Sequence, residues 1–199
     1  MKEKIREILK VILLFIVYLY IKVVYRLKVV GRNNIPKDGP IIFCGNHRSL
    51  IDAPLIYAVS GRKMRFLAKK ELSKSKFFSF IGYLANSIYV NRDAKDMVAI
   101  KTALKTLKSG ENIALFPEGT RNGIEKGEKV KDGVAFFALN SDAIILPVGI
   151  KGGEKPFKKI TITFGKPINF EEYKQNKKDK EVLEEVTEKI MNSILELTK

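Results

Sequence analysis

The 199-residue chain contains one histidine, His47, and one cysteine, Cys44. A lone cysteine excludes an intrachain disulfide and fits a reducing compartment. One histidine and one cysteine supply no recognisable ligand cluster, so no metal is expected. No G-x-S-x-G stretch occurs, which removes the nucleophile elbow of a serine hydrolase. Zinc-finger, RRM and bZIP patterns are missing too, so nucleic acid is not the expected partner. Acidic residues are scarce beside basic ones, 22 against 37, which leaves a formal net charge of +15. Such a surface attracts anionic headgroups, nucleic acid or acidic carrier proteins. Internal repeats, low-complexity tracts and long linkers are absent. At this length, with 45% apolar residues, one compact domain with a real core is expected.

Long apolar runs are lacking as well, with one exception. Val11 to Ile21 is unbroken, flanked by Lys10 and Lys22. As a helix it would cover roughly 16 Å, short of a hydrocarbon core of about 30 Å. Residues 1–27 are therefore expected to form a membrane-associated helix embedded in one leaflet. Lys2, Lys4, Arg6, Lys10, Lys22, Arg26 and Lys28 would lie at headgroup level, each contributing about 1 kcal/mol near an anionic surface. A tilted spanning helix is a second reading. No small-residue cleavage site follows the run, which argues against a signal peptide. A buried core helix fits poorly, because the run is apolar on every face. The anionic membrane surface is thus the expected partner, and its cytoplasmic face the expected location, with monotopic or peripheral attachment.

Residues 28–199 read as the folded domain that follows. A short strand in "KVV" leads through a Pro/Gly turn to a buried strand ending near Cys44. "DAPLIYAVS" reads as a helix with Pro54 in its first turn, where proline is tolerated. Strands in "MRFLA", "SIYV", "NIALF" and "AIILPVGI" alternate with helices in "KSKFFSFIGYL", "DMVAIKTALKTLKSG" and "DGVAFFALN". "KKITITFG" alternates like a half-exposed strand. A last amphipathic helix carries Leu183, Val186, Ile190, Ile194 and Leu197 on one face. The pattern predicts an α/β fold, a central mixed sheet flanked by helices.

In open α/β sheets functional groups collect beyond the strand ends. "IIFCGNH" delivers His47 to one such end, "SIYVNR" delivers Arg92 to another, and "IALFPEGTR" delivers Glu118 and Arg121 to a third. One shared cleft is expected. His47 and Asp52 are five residues apart, about 140° out of phase on a helix, so they share no face. They meet only if His47 lies in the turn before the helix, where Gly45, Asn46 and Ser49 suit turn and cap positions. The carboxylate could then bind Nδ1–H and leave Nε2 free as a base. Alternatively, Asp52 merely caps the helix. Arg92 and Arg121 could grip one phosphate, or be solvated surface charges. Glu118 could belong to the binding site, or brace nearby backbone N–H groups.

These blocks carry a resemblance. "NHRSLID" (46–52), "SIYVNR" ending at Arg92, "FPEGTR" (116–121) and "ILPVGI" around Pro147 occur in order, with Lys131 and Gly133 in "KVKDGVAFFAL". The sequence resembles the lysophosphatidic acid acyltransferases of the glycerolipid acyltransferase family, the PlsC-like enzymes, over roughly residues 28–170. The resemblance implies transfer of a fatty acyl group from a thioester to the sn-2 hydroxyl of 1-acyl-glycerol-3-phosphate. Sibling reactions on glycerol 3-phosphate or another lysophospholipid are the alternative. It implies His47 as base and Asp52 as its orienting partner. Arg92, Glu118, Gly119, Thr120, Arg121, Lys69 and Lys131 would contact substrate. Lys69 or a backbone N–H near Gly119 would meet the oxyanion. Acyl-CoA or an acyl carrier protein thioester would be co-substrate, with no other cofactor. Cys44 is expected to be buried and apolar rather than nucleophilic.

Overall fold

The computed structural model describes residues 2–91, 96–126, 130–153 and 157–199. Seven strands form one mixed sheet in the order β1-β7-β6-β2-β5-β3-β4. They are β1 (Arg26–Val30), β2 (Ile41–Gly45), β3 (Met64–Lys69), β4 (Ile88–Val90), β5 (Asn112–Leu115), β6 (Ile144–Gly152) and β7 (Lys159–Phe164). Strands β6, β2, β5, β3 and β4 run parallel; β7 pairs antiparallel with β6, and β1 parallel with β7. The strands and helices fall where the apolar periodicity predicts.

β2 lies at the centre and shows how the core is organised. All five of its residues are buried. Ile41 and Phe43 face one layer, and Ile42 and Cys44 face the other. This is the two-residue period of a strand covered on both sides. The first layer holds α1 (Lys2–Val24), α2 (Asp52–Ser60) and α3 (Lys76–Leu84). The second holds α4 (Met97–Lys108), α5 (Gly133–Leu139) and α6 (Lys180–Glu196). On α6 the expected face is the packed one, with Val186, Ile190 and Ile194 fully buried.

Two small residues in β6 solve local problems. Pro147 cannot donate to a ladder, and it sits where it need not. The antiparallel pairing with β7 begins at Val148; beside it the Pro147 carbonyl accepts the Gly165 N–H at 2.9 Å, and the isolated bridge of Ile145 with Ile168 follows. Gly149 admits the end of α6: a Cβ there would lie 2.4 Å from the Leu197 side chain.

The N-terminal helix departs from expectation in two respects. It ends at Val24, so Arg26 and Leu27 already belong to the sheet. It is also not apolar-exposed on every face. Ile21 is fully buried among Leu55, Ile56 and Val148, with Val17, Tyr18 and Val24 packed alongside. Burying Ile21 alone is worth about 1.5–3 kcal/mol. Lys10 is buried rather than at a headgroup level, its ammonium 4.8 Å from the Tyr57 ring centre. Burial pushes its pKa down. The opposite face of α1 leaves Ile8, Val11, Ile12, Phe15, Ile16 and Val23 at least half exposed. No helix among the described residues is long and apolar enough to cross a membrane.

Candidate active site

The site forms where β2 and β5 end side by side. These strands are parallel neighbours in register, Cys44 opposite Leu115. Asn46 fixes the first residue past β2: its side chain accepts from the Ile150 N–H at 2.7 Å and donates to the Ile150 carbonyl at 2.8 Å. The chain then turns through His47, Arg48 and Ser49 before α2 begins at Asp52.

Asp52 is fully buried, and its Oδ2 gathers three donors. The Arg48 and Ser49 N–H groups approach at 2.6 and 2.7 Å, and His47 Nδ1 lies 2.9 Å away. The turn before the helix therefore brings the pair together, as the spacing requires. A carboxylate only accepts, so Nδ1 carries the hydrogen and Nε2 has its lone pair free. Phe116 stacks on the imidazole, ring centres 4.3 Å apart and planes 14° from parallel. The ring is thus held at its edge by charge and on its face by an aromatic. Its side chain remains 21% exposed, so a reactant can reach it.

The loop after β5 closes the other side. Gly119, with φ of 71°, completes a tight turn by donating its N–H to the Phe116 carbonyl at 3.0 Å. Only glycine adopts this left-handed conformation without strain. Glu118 points inward and is buried. Its Oε1 accepts the His47 N–H at 2.9 Å and its Oε2 accepts the Ile124 N–H at 3.2 Å. The Asn122 N–H in turn donates to the His47 carbonyl at 2.6 Å. Both backbone groups of His47 are thereby tied to the second loop.

The remaining positions surround this centre unevenly. Thr120 is half-buried in the same turn. Arg121 is exposed and makes no hydrogen bond or ion pair among the described residues. Lys131 is exposed, and its N–H donates to the Pro117 carbonyl at 3.4 Å, which brings its loop against the same turn. Lys69 ends β3, is exposed, and pairs with Glu71 at 3.8 Å. Arg92 lies outside the described residues. The segment containing it is flanked by Asn91 and Asp96, and the Asn91 N–H donates to Asp96 at 3.0 Å. That bond, with one from the Ala99 N–H, holds the Asp96 carboxyl below its usual range. Cys44 is fully buried, and burial pushes its thiol far up, so it supplies no thiolate.

Two features escaped the sequence reading. One is the Phe116 stack. The other is an apolar cavity of about 270 Å³ beside it, lined by Leu67, Val90, Ile100, Leu115, Val134 and Phe136. Gly119 and Lys131 stand at this cavity too, so it adjoins the His47 cluster. Its walls come from three strands, β3, β4 and β5, and two helices, α4 and α5, and a run of sequence gives no sign of which apolar residues will line a space.

Known proteins resemble this chain in sequence and in fold. A 1-acyl-sn-glycerol-3-phosphate acyltransferase of Bacillus subtilis is 28% identical over 176 residues, covering 85% of this chain and 87% of that protein. One of Borreliella burgdorferi is 35% identical over 123 residues, 60% of this chain and 49% of its own. The crystal structure of the 1-acyl-sn-glycerophosphate acyltransferase PlsC of Thermotoga maritima superposes with a TM-score of 0.64 at 28% identity, over 96% of this chain and 82% of that one. The Acyltransferase family model matches residues 26–151, spanning every strand from β1 to β5 and nearly all of β6. The chain belongs to the Acyltransferase family.

Proposed function

We propose that this acyltransferase moves a fatty acyl group from a thioester to the sn-2 hydroxyl of 1-acyl-glycerol-3-phosphate, producing phosphatidic acid. The observation that carries the reading is His47, with Nδ1 committed to Asp52 at 2.9 Å and Nε2 free. Relatives named for this reaction support the choice of acceptor.

An alcohol is a poor nucleophile until a base takes its proton. His47 Nε2 removes it as the oxygen bonds to the thioester carbonyl carbon. The carbonyl π electrons move onto oxygen, and Asp52 stabilises the imidazolium. Collapse re-forms the carbonyl and breaks the C–S bond. The departing thiolate takes the proton from His47, so ester and thiol leave and the base is restored. The oxyanion needs a donor. The Gly119 N–H is engaged within its own turn. Thr120 and Arg121 are then the candidate donors from this loop, with Lys69 the candidate from β3. Glu118 holds the loop in place. The apolar cavity beside Phe116 suits an acyl chain.

Arg121 would bind the acceptor phosphate, with Arg92 and Lys131 adding positive charge. The support for Arg121 is its exposed guanidinium one residue before Asn122, which bonds the His47 carbonyl. The donor would be acyl-CoA or an acyl carrier protein; the net charge of +15 suits either. The enzyme would work from the cytoplasmic face of the membrane, held by the outer face of α1 lying in one leaflet.

Purified protein assayed against lysophosphatidic acid, glycerol 3-phosphate and other lysophospholipids, with both donors, tests the reading. Transfer to lysophosphatidic acid should dominate; preference for glycerol 3-phosphate would replace it. Lysine keeps charge but loses the planar fork. Arg121→Lys should therefore raise the KM for lysophosphatidic acid much more than for the thioester. A lost charge-assisted bond of roughly 1.5–3 kcal/mol lowers kcat/KM about 10- to 150-fold. A defect confined to the thioester would move Arg121 to the donor site.

A further inference from the structure

The helix α3 presents a ridge that its role in the fold does not explain. It connects β3 to β4 and packs inward through Gly82 and Leu84. Gly82 has no room for a side chain, since a Cβ would meet the Tyr89 hydroxyl at 1.9 Å. The outer face carries Phe77, Phe80 and Tyr83, which are 66%, 50% and 54% exposed. At intervals of three residues these rings form one stripe along the helix. A water-facing helix would carry charge there, as α6 does.

Two further observations say what covers the stripe. First, α3 lies on the same layer as α1 and meets it directly: the Arg6 guanidinium sits 5.7 Å from the Tyr83 ring centre. The stripe therefore stands beside α1 on the same layer. Second, the residues leading into α3, "KKELSKSK" at 69–76, hold four lysines and one glutamate, and all are exposed. Lysines beside a ridge of aromatics match the boundary between acyl chains and anionic headgroups. A protein partner would have to complement this lysine cluster and the face of α1 at once. A lipid surface complements both without further design.

We propose that α3 is a second membrane-inserting element, placing Phe77 and Phe80 among the acyl chains while Lys70, Lys74 and Lys76 meet anionic headgroups. This rests on the reading of α1 as membrane-bound. Two inserted helices, unlike one, fix the angle at which the sheet meets the surface. The first residues of α3 lie just beyond the end of β3, at the strand ends where His47 sits, so the insertion would also hold the site at a set height above the lipid.

The chain contains no tryptophan, so one introduced ring reports its own position. Full-length Phe77→Trp and Phe15→Trp proteins are bound to phosphatidylcholine–phosphatidylglycerol vesicles whose acyl chains carry bromine near the headgroup. Quenching of both tryptophans is expected. Quenching at position 15 but not at 77 overturns the proposal and leaves α1 in the membrane. Quenching at neither position overturns both. In a second measurement, the Phe77→Ser/Phe80→Ser protein, its fold checked by circular dichroism, should partition roughly 10-fold more weakly onto the same vesicles. Unchanged partitioning overturns the proposal. So does shielding of the residue-77 tryptophan from aqueous iodide without vesicles, together with a dimer in sedimentation, because a second copy would then cover the ridge.

Discussion

Asp52 and Glu118 are both buried carboxylates within reach of His47, and they are built in opposite ways. All three donors to Asp52 come from its own loop, within five residues. The donors to Glu118 are Ile124 in its own loop and the His47 N–H, 71 residues away in sequence. Asp52 grips the imidazole; Glu118 grips the backbone beneath it. The first arrangement sets the direction of a ring and its tautomer. The second sets where one loop stands relative to another. Chemistry should depend mainly on Asp52, and cohesion of the two loops mainly on Glu118.

The largest effect should come from His47 itself. His47→Ala removes the only ordinary base near neutral pH, and acyl transfer should fall by roughly 100- to 10 000-fold or beyond detection. Circular dichroism should show a folded protein. Full turnover in that protein would end the proposed mechanism. Asp52→Asn comes next. The amide keeps the shape but loses the charge that stabilises the imidazolium, and it can present its NH2 to the ring. We expect kcat to fall nearly as far as in His47→Ala, with KM little changed.

Glu118→Gln should reverse the pattern. The amide retains one acceptor for two backbone donors and loses the charge on both bonds. A buried donor left unmatched costs about 1–3 kcal/mol, so Tm should fall while kcat drops less than in Asp52→Asn. Thermal melts and steady-state kinetics of both variants form the test. If Glu118→Gln abolishes turnover at unchanged Tm, the contrast between the two carboxylates fails.

Much of this was legible in the sequence because it is local. The strand "IIFCG" announces burial on both sides, and the five-residue spacing forces His47 into the turn before α2. The buried face of α6 follows from Leu183, Val186, Ile190 and Ile194 alone. What stayed hidden depends on which strands become neighbours. Glu118 reaches the His47 N–H only because β2 and β5 lie side by side, and no local pattern encodes that adjacency. Phe116 stacking depends on it as well, while the apolar cavity depends on α4 and α5 covering β3, β4 and β5. Lys10 misled for a related reason. Its basic side chain beside an apolar run reads as a headgroup contact until Tyr57 is known to lie beneath it. The exposed half of α1 was visible as apolarity, whereas its docked half required the partner surface.

The smallest effect should be at Ser49, although it stands in the middle of the His47–Asp52 segment. A serine there invites the idea that its hydroxyl is needed. The structure assigns the main bond to its backbone instead: the Ser49 N–H donates to Asp52 at 2.7 Å, while the hydroxyl accepts from the Ile51 N–H only at a long 3.4 Å. Ser49→Ala keeps the short bond and loses the long one. A neutral, partly solvated hydrogen bond contributes about 0.5–1.5 kcal/mol, and one this long belongs at the bottom of that range. We expect kcat/KM within about 3-fold of the unaltered enzyme and an almost unchanged Tm. A loss comparable to that of Asp52→Asn would place the hydroxyl in contact with substrate, and the division of labour between the two carboxylates would need a third member.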